Sequence, residues 1–214
     1  MAFEIEVKKH LFSKAIFYID EKVIRFGLKE VLIKDITGFS YVSTQTRVNG
    51  INASKMFQIF IWQSNRPDKM EIRFTGTFGG GQSNDKFDQI IEQLWHYFGN
   101  SLLDQMHKHL MGGKVYQLTP RLKVTSTGIV VSRKPWFSQP YEVLGKWNDL
   151  TMNVANGYLS VRSKAEKKAK RTESLAQRNL WVFYYYVSWV FKNPDVIASL
   201  SAAPDNYKLL SKRA

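Results

Sequence analysis

Six basic side chains fall within ten residues, at Arg162, Lys164, Lys167, Lys168, Lys170 and Arg171, with Glu166 as the single acid among them. Cations at this density can hold an anionic surface: lipid headgroups, an acidic protein or nucleic acid. The run carries no aromatic on which a base could stack, and its spacing offers no apolar face for burial in a bilayer. Near an anionic membrane each basic residue contributes about 1 kcal/mol, so several together support weak, salt-sensitive docking. Without a ligand, the same run reads as a solvated loop between two strands.

Other candidate chemistry falls away on spacing. Gly79-Gly80-Gly81 lacks the Lys-Ser/Thr pair and set glycine spacing of a phosphate loop and reads as flexible linkage. His96, His107 and His109 have no carboxylate or cysteine cluster to complete a metal site, so they read as surface histidines. Asp35, Glu142, Asp149 and His96 show no triad or paired-carboxylate spacing, and no motif asks for a cofactor or metal. The chain therefore reads as a non-enzyme. Tyr184-Tyr185-Tyr186 and Trp189 could stack on a ligand, but aromatics at helical spacing read first as core.

The basic run must be held by its neighbours, and those elements read as a repeat. Residues 15–111 and 122–191 each run through β-rich segments and close on an apolar helix. In the first half, 15–19 and 23–26 form a hairpin about Asp20-Glu21-Lys22, and 31–42 continue as an extended stretch. Asn49-Gly50 marks a tight turn, and strands follow at 56–62 and 70–74. Asn84 or Asp85 would cap a helix over 85–111, with Phe87, Ile90, Ile91, Leu94, Phe98, Leu102, Met106 and Leu110 on one stripe. A kink is expected at Gly99-Asn100, and Gly112-Gly113 would end the helix. In the second half, a hairpin turns at Gly128 and another at Asn156-Gly157. Asn179 would cap a closing helix over 180–192, stopped at Asn193-Pro194. Residues 194–214 read as a C-terminal tail, fraying beyond 198.

Composition bounds the rest. The chain has 214 residues, 44% of them hydrophobic, which is ample for one or two packed cores. With no cysteine, disulfides and thiolate chemistry are excluded, in keeping with a reducing compartment. The first residues show no secretory signal pattern, and the longest apolar run, 180–191, falls short of the roughly 20 residues that cross a membrane. Charge is lopsided. Residues 1–113 hold 14 Lys+Arg against 12 Asp+Glu, whereas 114–214 hold 17 against 6, so nearly all of the net +13 lies in the second half.

Certain short matches carry a family resemblance. They are Lys34-Asp35-Ile36, Val48-Asn49-Gly50-Ile51, Gly113-Lys114-Val115-Tyr116, the stretch 122–128, Lys146-Trp147-Asn148-Asp149-Leu150, Asn156-Gly157-Tyr158-Leu159-Ser160-Val161 and Asn179 with Val182-Phe183. On these the chain resembles an uncharacterised bacterial family with two pleckstrin-homology-like (PH-like) repeats. The resemblance implies an α+β fold of two tandem PH-like modules. Each would be an antiparallel, strongly bent sheet or partial barrel closed by a C-terminal helix, at 1–113 and 114–193. PH-like domains bind phosphoinositides, phosphopeptides or other proteins, and this chain departs from the family in its basic insert, the loop 162–171. The expected function is a binding or adaptor protein, cytoplasmic or peripheral at the inner membrane face, whose partner is an anionic membrane or an acidic protein. Nucleic acid bound through the same patch, or a homo-oligomer within a larger assembly, are the alternatives.

Overall fold

The computed structural model describes residues 2–10, 13–48, 51–77, 81–135 and 139–209. The expected turn at Asn49-Gly50, the linker glycines Gly79 and Gly80, and tail residues 210–214 lie outside the described residues. The fold is α+β, with four antiparallel sheets that stay open rather than closing into a barrel among the described residues. The chain divides into two compact units, Met1–Leu102 and Leu103–Ala214.

The first unit strings β1 (Phe3–His10), β2 (Ser13–Ile19), β3 (Val23–Phe26) and β4 (Lys29–Leu32) into one sheet in chain order. A single 3-10 turn, Ile33–Asp35, leads into a second sheet of β5 (Ile36–Val48), β6 (Ile51–Gln63) and β7 (Met70–Thr77). The β2–β3 turn forms because the Asp20 carboxylate accepts the N–H groups of Lys22 and Val23 at 2.7 and 2.8 Å, an aspartate turn. Alternation then puts Phe57, Ile59, Ile61, Ile72 and Phe74 inside the unit.

Helix α1 (Gly81–Leu94) covers this core, with Phe87 stacked on Phe57 at 4.7 Å between centroids. It starts ahead of the Asn84-Asp85 cap predicted from sequence. Seven of the eight residues of the expected stripe are buried, and Ile91 is half-buried at its edge. The predicted kink is a π-helical turn, Trp95–Gly99, passing into α2 (Asn100–Met111). A Cβ at position 99 would run into the Trp95 ring, so glycine lets that ring lie along the helix. Gly113, with φ +69°, ends α2 as foreseen: its N–H reaches the Leu110 carbonyl, and the Lys114 N–H reaches His109. The boundary between the units falls inside α2, before the glycine pair expected to mark it.

The second unit repeats the order. Strands β8 (Tyr116–Thr119), β9 (Leu122–Thr125), β10 (Gly128–Arg133) and β11 (Tyr141–Lys146) form one sheet. The 3-10 turn Trp147–Asp149 leads to a second sheet of β12 (Leu150–Ala155), β13 (Tyr158–Ser163) and β14 (Lys170–Ser174). Asn156 and Gly157 both have positive φ, 52° and 77°, which is the hairpin turn that Asn-Gly predicts. Trp147 is buried and its indole N–H donates to the Ser126 carbonyl at 2.8 Å. Helix α3 (Leu180–Lys192) buries Leu180, Val182, Phe183, Tyr186, Val187 and Val190.

Two expectations are corrected here. Asn179 stands at the start of α3 in the left-handed region, φ 59°, but its side chain does not cap the helix; its amide donates to the Tyr116 hydroxyl at 2.6 Å. Residues 194–202, read as the start of a tail, form helix α4 (Pro194–Ala202), with Leu200 fully buried. The segment beyond it is also tied down. Ser126 donates to the Pro204 carbonyl, Thr127 to Asp205, and the Tyr207 hydroxyl to Glu142 at 2.5 Å. A buried apolar anchor and these bonds outweigh the small, polar composition that suggested fraying.

Candidate functional site

The basic run is not a loose loop. Arg162 closes β13 beside Ser163, Lys170 and Arg171 open β14, and only 164–169 turn between them. The turn is braced by its own groups: Ser163 Oγ accepts the Glu166 N–H at 3.0 Å, and the Glu166 carboxylate accepts the Lys168 N–H at 2.9 Å. Ala169 is fully buried beneath it. The one acid of the run thus holds backbone.

Strand alternation divides the six predicted contacts. Arg162 pairs directly with Lys170, so both project from one face of the hairpin, and Arg162 donates to Thr151 Oγ1 at 3.1 Å. Arg171 pairs with Val161 and projects from the other face. There it joins Lys167 and Lys168 in lining an open cleft of about 440 Å³. Lys164 stays in the turn outside the cleft, its N–H bonded to the Asp149 carbonyl at 2.7 Å. Three of the six residues therefore converge.

Sequence reasoning missed three further cations of the same cleft: Arg121, between β8 and β9, and Arg133 and Lys134, at the end of β10. Arg133 also fixes the wall. Its guanidinium donates to the Lys168 carbonyl at 3.0 and 2.6 Å and to the Lys170 carbonyl at 3.2 Å. That fork pins the hairpin turn against β10, a geometry that guanidinium supports and a lysine ammonium does not. The available signal was positional. Pro120-Arg121 and Arg133-Lys134-Pro135 sit at strand ends, where a hairpin sheet brings distant turns together.

Among the described residues, the cleft has no carboxylate in its lining. Behind it, Arg171 Nε donates to buried Glu173 at 2.6 Å, and Glu173 also accepts from Thr119 at 3.0 Å and from Gln177 at 2.9 Å. Glu173 thus orients Arg171 and offsets part of its charge, leaving the other five cations facing solvent or backbone. Like charges gathered this way repel one another, and a bound anion relieves that repulsion.

His96 is exposed, as expected of a surface histidine, with its ring 5.1 Å from that of Tyr97, whereas other candidates are engaged structurally. His107 Nδ1 lies 3.0 Å from the Tyr186 hydroxyl and His109 Nε2 lies 2.9 Å from the Val115 carbonyl, so both are half-buried rather than free surface groups. Burial pushes the Tyr186 phenol far above its ordinary value, so it stays neutral beside His107. Asp35 accepts from Asn65 at 3.0 Å, and Glu142 accepts from Lys123 at 2.7 Å. Among the described residues, no group of three or more His, Cys, Asp or Glu could hold a metal ion, and no helix is long and apolar enough to cross a membrane. The chain matches no family model, no curated protein and no solved structure.

Proposed function

We propose that the chain is a non-catalytic binding or adaptor protein of two tandem PH-like modules, whose second unit docks on an acidic surface. The module reading is supported by the shared order in both units: a four-stranded sheet, a 3-10 turn ending in Asp, a three-stranded sheet and a helix. The docking reading is carried by the cleft, in which six cations from three separate turns or strand ends meet without a lining carboxylate among the described residues. Docking there places the protein at the inner face of an anionic membrane or on an acidic partner.

The test is co-sedimentation of the full chain with phosphatidylcholine vesicles, with and without phosphatidylserine, at low and high salt. Pelleting is expected only with the anionic lipid, and less of it at high salt. The variant Lys134→Gln, Lys167→Gln, Lys168→Gln should stay in the supernatant. Equal pelleting on neutral vesicles, or a variant that behaves as wild type, overturns lipid docking through the cleft. Capture on immobilised polyglutamate without vesicle binding assigns the surface to an acidic protein. Preference for nucleic acid over both sinks the proposal in favour of nucleic-acid binding.

A further inference from the structure

The side of α3 turned away from its core carries a row of rings. Trp181, Tyr185 and Trp189 follow at four-residue steps, and Tyr185 and Trp189 are each 42% exposed. Successive steps of four drift by only about 40°, so the three rings make one stripe about 12 Å long. Lys192, eleven residues after Trp181, returns to the same line. Trp181 and Tyr185 lie 6.1 Å apart between centroids, so the stripe is continuous at its start. The unit's core is filled from the opposite side of the helix by Phe183, Val187 and Val190, while the Trp189 ring at the stripe's edge also meets His107 at 5.4 Å and Tyr186 at 5.8 Å between centroids.

We propose that this stripe is a membrane-interface contact, lying in the headgroup region of an anionic bilayer and adding to the hold of the basic cleft. The proposal rests on the acidic-surface reading above and narrows it to lipid. Three observations choose a bilayer as the occupant. Helix α3 contains no carboxylate and the stripe ends on Lys192, which complements anionic headgroups. Indole and phenol rings have an apolar body and a polar tip, the combination favoured where hydrocarbon meets water. The chain entering the helix is tied to the cleft through one carboxylate. Glu173 accepts from Arg171 in the cleft with one oxygen and from Gln177, four residues before Trp181, with the other. At 13 residues α3 is too short to span, so contact is along the surface.

Tryptophan fluorescence tests this with the full chain and vesicles containing phosphatidylserine and dibrominated phosphatidylcholine. Wild type should blue-shift and be quenched on binding. Trp181→Phe with Trp189→Phe should still bind but lose most of that quenching. Tyr185→Ser should bind severalfold more weakly at an unchanged melting temperature. If the serine variant melts lower, the phenylalanine variant decides. Undiminished quenching in the phenylalanine variant, or a well-folded serine variant that binds as wild type, overturns the stripe. When binding is lost on neutralising the cleft but untouched by the stripe changes, docking stands and the stripe falls. When wild type ignores anionic vesicles altogether, lipid docking falls with it. A stripe variant that turns a dimer into a monomer without altering vesicle binding assigns the face to a second copy of the chain, and the proposal fails.

Discussion

The two units use one order of elements and opposite treatments of charge. Met1–Leu102 carries 13 basic and 11 acidic residues, and Leu103–Ala214 carries 18 and 7. In the first unit acids sit on the surface beside bases: Glu6 with Lys14, Glu30 with Arg25 and Glu71 with Arg73, all within 2.8 Å. In the second unit the two paired carboxylates, Glu142 and Glu173, are buried, and each is used to orient a cation or a chain segment. Surface pairs of the first kind contribute little to stability but cancel the local field. With these acids turned inward, Arg171 is the one cleft cation in an ion pair among the described residues. The backbone order sets where turns meet, and the side chains decide whether that meeting point attracts anions.

The 3-10 turns give the largest contrast. Trp147 and Ile33 open equivalent turns, yet Trp147 is buried while no residue of the Ile33 turn is. Trp147→Ala should cost about 3–5 kcal/mol, through lost packing and an unpaired Ser126 carbonyl. Ile33→Ala should cost about 1 kcal/mol or less. Urea denaturation of each variant measures both, and equal losses would break the contrast. Charge removal comes next. The cleft variant at Lys134, Lys167 and Lys168 should lose about 3 kcal/mol of affinity for anionic vesicles, near 100-fold. Removing three exposed lysines from the first unit, Lys8, Lys9 and Lys22, should change binding severalfold at most. Equal effects would mean that net charge alone, and not the cleft, does the docking.

Much of this fold could be read from the sequence wherever the signal was local. Asn156-Gly157 dictated a turn because few other residues accept positive φ, and the apolar stripe from Phe87 to Leu110 dictated a helix. Lys34-Asp35-Ile36 and the stretch 146–150 marked matching places, and each proves to be a 3-10 turn feeding the second sheet of its unit. The site was only half legible. Lys167, Lys168 and Arg171 were visible as part of a dense run, but Arg121 and the pair Arg133-Lys134 lie far from that run in sequence and reach the cleft only through strand register. The same register sends Arg162 and Lys170 to the other face, which a count of charges does not reveal. The C-terminal segment misled because its composition is polar, while its order comes from one buried leucine and bonds to residues some 80 positions earlier.

That segment supplies a smaller effect. The Tyr207 hydroxyl donates to Glu142 and accepts from the Lys123 ammonium at 2.6 Å, closing over their ion pair. Burial and the bond to Glu142 hold the phenol above its ordinary value, so it remains a donor across the physiological range. Tyr207→Phe should cost about 1 kcal/mol, because Ser132 and Lys123 still serve the carboxylate. Hydrogen exchange should quicken at 205–207 and not in the first unit. Unchanged exchange there would show that α4 alone holds the segment.

The smallest effect separates the two units by pH. The β2–β3 turn of the first unit is held by a carboxylate, and the matching β9–β10 turn of the second by a neutral hydroxyl, with Thr125 Oγ1 accepting the Thr127 N–H at 3.3 Å. The Lys22 N–H, then the Tyr18 hydroxyl and the Val23 N–H, hold Asp20 below the usual carboxylate range. A carboxylate whose folded value is depressed stabilises the fold above its unfolded value, near 4, and that stabilisation fades as pH falls through the folded value. Thr125 does not titrate, so its turn should be indifferent to the same acidification. Asp20→Asn keeps an oxygen acceptor for both N–H groups and removes the titration. The difference in urea midpoint between pH 7 and pH 3 should therefore narrow in Asp20→Asn, and stay at the wild-type value in Thr125→Ser. An equal difference in wild type and Asp20→Asn would mean that other carboxylates carry the acid sensitivity of the first unit and that the two turns are equivalent supports.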